Sequence, residues 1–172
     1  LVPPTVTTLV ATEIDITSAT INGSVATDEY TEVTSRGFYW SETNSNPGAN
    51  DNVQAIGSGA GEFSYSFSDL PANTRYYYRA YATYQNGTIT GDVLSFTTNA
   101  LLPPDITTNE ATNITYNSAE LNGSVTSDIL TEVLSYGFYW SNQNQTPVST
   151  DNTIVVGSGN GTFSSVLTQL LS

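Results

Sequence analysis

Carboxylates are the side chains in this sequence that could run acid–base or nucleophilic chemistry. Glu32 and Glu132, Asp28 and Asp128, and Asp51 and Asp151 stand at equivalent places one hundred residues apart. Glycoside hydrolysis needs two such groups facing each other across a cleft. Histidine, cysteine, methionine and lysine are absent, and the three cations are Arg36, Arg75 and Arg79. The chain therefore has no imidazole base, no thiolate, no Schiff-base amine and no soft metal ligand. Asp51-Asn52, behind a loop rich in Asn and Pro, offers hard oxygen donors of the kind calcium takes, without EF-hand spacing. A turn held by an Asx side chain accounts for the same two residues. The carboxylates fall on loops and strand ends, and their repetition suits a structural role, so the expectation is a non-enzyme with no cofactor and no metal site.

Binding chemistry is the other possibility. Tyr77, Arg79 and Tyr81 alternate along one segment, which places them on one face of a strand, and Tyr39 is expected to face the same way on the neighbouring strand. The four would form an exposed aromatic patch onto which a sugar ring or a neighbouring protein module could stack. Phe38 and Trp40 are expected in the core, with Trp40 and Trp140 as central aromatics. Six Asn-X-Ser/Thr acceptor patterns occur, at Asn22, Asn86, Asn113, Asn122, Asn144 and Asn160. Chance supplies several of these in a chain where Ser, Thr and Asn number 63 of 172 residues.

Charge narrows the partners. Sixteen carboxylates against three arginines give a net charge of −13, a field that repels nucleic acid and anionic membrane surfaces. Charged residues are only 11% of the chain, against about 25% in ordinary globular proteins. They form no acidic run, so the acidity reads as solvated surface on a folded protein. No stretch approaches the roughly 18 apolar residues needed to span a bilayer, and Leu1 to Pro4 do not read as a signal peptide. Absent cysteine leaves the redox compartment open. Absent lysine excludes the Lys–Asn crosslinks used by some surface stalks.

The elements that must position these residues come twice. Sliding the chain by one hundred positions aligns residues 1–72 with 101–172 without a gap, about half of them identical. Asn22 to Val25 matches Asn122 to Val125, Gly37 to Ser41 (Gly-Phe-Tyr-Trp-Ser) matches Gly137 to Ser141, and Gly57 to Gly59 matches Gly157 to Gly159. Each copy carries short alternating runs separated by Asn, Gly, Pro and Asp, which is antiparallel β patterning. In the first copy strands are expected near 5–10, 18–27, 33–41, 52–57, 61–68, 74–84 and 88–98. Ala19, Ile21 and Val25 share one face, as do Phe63, Tyr65 and Phe67. Tyr76, Tyr78, Ala80 and Ala82 should point inward, opposite Tyr77, Arg79, Tyr81 and Thr83, because small alanines suit a crowded core and Arg79 should stay wet.

Leu70 to Tyr76 (Leu-Pro-Ala-Asn-Thr-Arg-Tyr), leading into a tyrosine-rich strand, resembles the sixth-strand entry of fibronectin type III domains, with Tyr76 as the corner tyrosine. Together with Arg36 to Ser41, the glycines at 57, 59 and 61, and Ser95 to Thr98, the chain is similar to the version found in tandem in bacterial secreted and cell-surface proteins. The proline directly after Leu70 departs from the family, which usually leaves one residue between. The resemblance implies an all-β fold of tandem immunoglobulin-like antiparallel β-sandwiches, residues 1–100 and residues 101–172. The second copy would lack its last two strands, since Leu171-Ser172 stand where the counterpart of Tyr76 to Thr98 should begin. It implies an extracellular, non-catalytic structural or adhesive module of a surface stalk or filament, its partners neighbouring copies or modules, with strands or faces shared between subunits. The alternative it implies is an accessory glycan-binding or spacer module of a polysaccharide-degrading enzyme.

Overall fold

Alternation with a period of two gives strands, and their partners decide which face is buried. The computed structural model describes residues 2–170. Leu1, which opens the first copy, and Leu171-Ser172, where the counterpart of Tyr76 is expected to follow, lie outside the described residues. The described residues form antiparallel strands and no helix, in two units, Leu1–Ala100 and Leu101–Ser172.

Unit 1 holds β1 (Thr5–Thr12), β2 (Ala19–Ala26), β3 (Val33–Ser41), β4 (Asn52–Gly57), β5 (Gly61–Phe67), β6 (Arg75–Tyr84), β7 (Gly87–Thr90) and β8 (Leu94–Thr97). One sheet runs β1-β2-β5; the other runs β4-β3-β6, with β7 and β8 both paired to the far side of β6. Ala19, Ile21 and Val25 from β2, and Phe63 and Phe67 from β5, meet Phe38, Tyr76, Tyr78, Ala80, Ala82 and Phe96 from the opposite sheet. The two sheets thus sandwich one apolar core.

The segment expected as one strand over 88–98 is two. Tyr81 to Tyr84 pair with Thr90 to Gly87, but Arg75 to Tyr78 pair with Thr97 to Leu94, a register one residue out of step. Gly91, Asp92 and Val93 therefore oppose only Arg79 and Ala80, which makes a β-bulge. The slip puts Ile89 opposite Ala82 and Phe96 opposite Tyr76, so both apolar residues turn to the inner face, Phe96 buried in the core and Ile89 half-buried, although one is odd-numbered and the other even. An unbroken strand would have turned one of them to water.

β1 slips too, between Leu9 and Thr12. The repeated Asn-Gly explains how this is tolerated: the Asn22 amide donates to the Val10 carbonyl at 2.9 Å and to Thr12 Oγ1 at 3.1 Å. Asn122 repeats the latch with Glu110 and Thr112. The glycine that follows makes room for a ring. A Cβ on Gly23 would lie 2.9 Å from Phe63 Cζ and 3.1 Å from Ala80 Cβ, and Phe63 cannot swing away because Phe38 packs on it at 4.9 Å.

Unit 2 holds β9 (Asp105–Thr112), β10 (Ala119–Thr126), β11 (Tyr136–Trp140), β12 (Asn152–Gly157) and β13 (Gly161–Leu167). The sheets are β13-β10-β9 and β11-β12. β11 has five residues where β3 has nine. In unit 1, Val33 and Ser35 are paired by β6, and pairing with β4 begins only at Arg36; among the described residues of unit 2 no strand takes the place of β6. A small core of Val125, Phe138 and Phe163 remains, flanked by Leu121, Val133 and Tyr136.

Gly23→Ala is expected to destabilise unit 1 by about 1–3 kcal/mol through overpacking. Urea unfolding followed by aromatic fluorescence measures it, and a change under a few tenths of a kcal/mol would contradict the fit described for Phe63.

Candidate functional site

The four residues expected to form an exposed binding patch lie on the outer face of β3 and β6. Tyr39 stands opposite Arg79, and Tyr81 stands opposite Gly37. Facing a glycine, the Tyr81 ring lies instead along Tyr39, with centroids 4.5 Å apart and planes 11° from parallel. Each ring covers the other: Tyr39 is 7% and Tyr81 5% exposed, and burial, followed by the nearness of Tyr81, raises the pKa of Tyr39. The expected exposed patch is thus corrected for these two tyrosines. Tyr77 and Arg79 are half-buried.

Arg79 is committed inside the unit rather than held in reserve for a ligand. Its Nε and Nη2 donate to the Gly91 carbonyl at 3.0 and 2.8 Å, and Nη1 donates to Asn46 Oδ1 at 3.0 Å. Gly91 is the first bulge residue, so the guanidinium clamps the irregularity that sets the register of β8. The bulge also takes a backbone partner away from β6, and Thr8 of β1 replaces it: the Ala80 N–H donates to Thr8 Oγ1 at 3.0 Å in a buried position. Nearby the Tyr78 hydroxyl donates to the Leu9 carbonyl at 2.8 Å. A Cβ on Gly91 would fall 2.6 Å from Thr8 Oγ1 and 2.8 Å from Thr8 N, so only glycine permits this approach. Sequence reasoning missed Thr8, Tyr78 as a donor, and Gly91. The available signal was Gly91-Asp92 inside an otherwise alternating run.

The expected structural aromatics need adjustment. Phe38, fully buried, is the central ring, between Phe63 at 4.9 Å and Tyr78 at 6.5 Å. Trp40 points inward but is half-buried near the end of β3, edge-on to Phe67 at 5.1 Å. Trp140 is likewise half-buried. Tyr76 is 1% exposed, but its hydroxyl finds no hydrogen-bond partner among the described residues. Burial is the main reason its pKa is raised, and the charge on Glu42 adds to it. Thr98 ties this corner: its hydroxyl donates to the Pro71 carbonyl at 2.7 Å and accepts from the Thr74 N–H at 2.9 Å.

The repeated aspartates cap their own loops. Asp51 Oδ2 accepts from Asn44 Nδ2 and from Gly48 N, both at 2.9 Å, and Asp151 repeats this with Asn144 and Val148. Asp28 accepts from Tyr30 N, and Asp128 from Leu130 N and Thr131 N. Hydrogen bonds from Thr31 and Thr131, respectively, are the main cause of their lowered pKa values. Glu32 and Glu132 are exposed.

No family model matches the chain, and no curated protein matches it. Among solved structures it is similar to the sensor domain of the anti-sigma factor RsgI4 of Pseudobacteroides cellulosolvens, at 24% identity over 59% of this chain and 99% of that one, with a TM-score of 0.43. A solution structure of that sensor domain is similar at 25% identity over 57% and 76% of the two chains, TM-score 0.45. A two-domain fibronectin type III segment of chicken tenascin aligns over 96% of this chain and 83% of its own, at 15% identity and a TM-score of 0.38. The strand order in unit 1, β1-β2-β5 against β4-β3-β6-β7/β8, is that of a fibronectin type III-like sandwich.

Two outcomes follow from the clamp. Thr8→Val keeps the shape but orphans the buried Ala80 N–H, and should cost about 1–3 kcal/mol in chemical denaturation; a neutral effect would remove Thr8 from this role. Burial raises the Tyr78 phenol from 10.0 to about 12. Between those values the unfolded chain has released the proton while the folded one retains it, so stability falls as pH rises through this window. Tyr78→Phe should flatten that fall, as read from unfolding midpoints across an alkaline pH series.

Proposed function

We propose that the two units are non-catalytic structural modules of a secreted or cell-surface bacterial protein, spacing or assembling an adhesin stalk or filament, with neighbouring copies or modules as partners. The observation that carries this reading is which polar residues recur between the copies. Asn22 and Asn122 latch a bulge, Ser41 and Ser141 and then Asn44 and Asn144 hold one loop, and Asn52 and Asn152 bond the Trp40 and Trp140 carbonyls. Thr31 and Thr131 tie the entering chain through the carbonyls of Val2 and Leu102. What repeats is therefore the means of holding a backbone, as a scaffold repeated for length requires. Among the described residues no cluster of three or more acidic side chains gathers, and no helix is long and apolar enough to cross a membrane.

Electron microscopy with mass determination of the native assembly tests the reading, and strings of beads or fibres with an axial repeat of one or two sandwiches are expected. Compact isolated particles would overturn it. So would retention of the protein on insoluble polysaccharide that is lost in Tyr77→Ala, which would instead favour an accessory glycan-binding module.

A further inference from the structure

Four asparagine–glycine pairs occur, at Asn22-Gly23, Asn86-Gly87, Asn122-Gly123 and Asn160-Gly161. Each carries the same latent chemistry, because a glycine after asparagine has no side chain to hinder its amide nitrogen from reaching the asparagine Cγ. The fold treats them differently. Asn22 and Asn122 spend their amide nitrogens on the bulge latches, and their glycines are buried in mid-strand, paired on both sides. Asn160 is fixed on Ser127: its Oδ1 accepts from the backbone N–H at 2.8 Å and the hydroxyl at 3.0 Å, and its Nδ2 donates to the carbonyl at 3.3 Å. Asn86 makes no side-chain hydrogen bond among the described residues. It is exposed in the turn between β6 and β7, and the exposed Gly87, at φ +128°, forms the last rung of that hairpin opposite Tyr84.

We infer that Asn86 is a site of spontaneous deamidation, with water as the co-reactant. The Gly87 nitrogen loses its proton to solvent and attacks Asn86 Cγ. A bond forms between that nitrogen and Cγ, the Cγ–Nδ2 bond breaks, and ammonia leaves with a proton from solvent. Water then opens the cyclic imide at either carbonyl, giving aspartate or isoaspartate. Overall one water enters and one ammonia leaves, with no change of oxidation state. The step needs only the last rung to open, and the end of a hairpin opens far more readily than mid-strand. Asn22 and Asn122 would first have to leave their bulges. The product carries one more carboxylate, taking the net charge from −13 to −14 by adding one to the present count. The isoaspartate form lengthens the backbone of a two-residue turn by one carbon, against the Tyr84–Gly87 pair and the Thr83–Thr88 hydroxyl contact at 2.9 Å. The site is independent of the structural role proposed above.

The full chain, aged folded at mildly alkaline pH and in parallel in denaturant, is digested with a chymotrypsin-type protease and mapped by mass spectrometry. In the folded sample Asn86 should convert at least about tenfold faster than the other three, and in denaturant this preference should vanish. Isoelectric focusing of Asn86→Gln should lose the earliest acidic shift. Equal rates at all four sites in the folded protein would overturn the assignment. So would an unconverted Asn86 beside a reactive denatured control, or an acidic shift that persists in Asn86→Gln. An N-linked sugar on Asn86 in protein from its native source, blocking the amide, would overturn it as well.

Discussion

A strand that slips by one residue turns its remaining side chains to the other face and leaves a backbone group without its partner. Such slips recur in unit 1, and several of its polar side chains are arranged around them. Asn22 supplies the donor that the β1 bulge lacks, Thr8 the acceptor that the β7–β8 bulge removes from β6, and Arg79 a clamp on the carbonyl of Gly91. Buried backbone groups must find partners somewhere, and here side chains from neighbouring strands provide them. Phe96 and Ile89 can then turn to the same inner side, which a regular strand would forbid.

Comparison of the two copies separates what a residue does from what surrounds it. Arg36 lies 5.0 Å over the Phe63 ring and donates to the carbonyls of Gly59, Ala60 and Gly61. Its counterpart Tyr136 stacks on Phe163 at 4.3 Å. A cation and a phenol thus cover the same phenylalanine, the first tying down a glycine loop and the second adding aromatic area. The identical Gly-Phe-Tyr-Trp segment shows the opposite case: Tyr39 is shielded by Tyr81, whereas Tyr139 is 53% exposed. The residue is the same; β6 makes the difference.

The period-two pattern made the inward sets of β2, β5 and β6 legible, down to Tyr76, Tyr78, Ala80 and Ala82, because each run lies in a strand without internal slips. It could not reveal the break at Gly91, since a bulge is a property of two strands and alternation describes one. The same limit hid the pairing of Tyr39 with Tyr81, which depends on Gly37 being opposite. Alternation places both Phe38 and Trp40 inward, but it does not say which stands mid-strand between the sheets, and that place belongs to Phe38, with Trp40 half-buried near the strand end. The repeated Asn-Gly was visible as a motif, but its two halves have separate tasks, a latch and a vacancy, that only the neighbouring strands define.

The arginines have one further consequence. Arg36 lies in β3, Arg75 and Arg79 lie in β6, and these are the two inner strands of the larger sheet. No lysine accompanies them, and residues 101–172 hold neither cation. A protease that cuts after basic residues must draw an extended segment into its cleft, so it meets the bonds after the half-buried Arg36 and Arg79 only when the sheet comes apart, while Arg75, exposed at the start of β6, needs only the strand end to fray. For such an enzyme cutting after Arg36 or Arg79 tracks how often unit 1 unfolds, whereas cutting after Arg75 reports local opening at the start of β6, so the two kinds of fragment read separate stabilities of the same sheet.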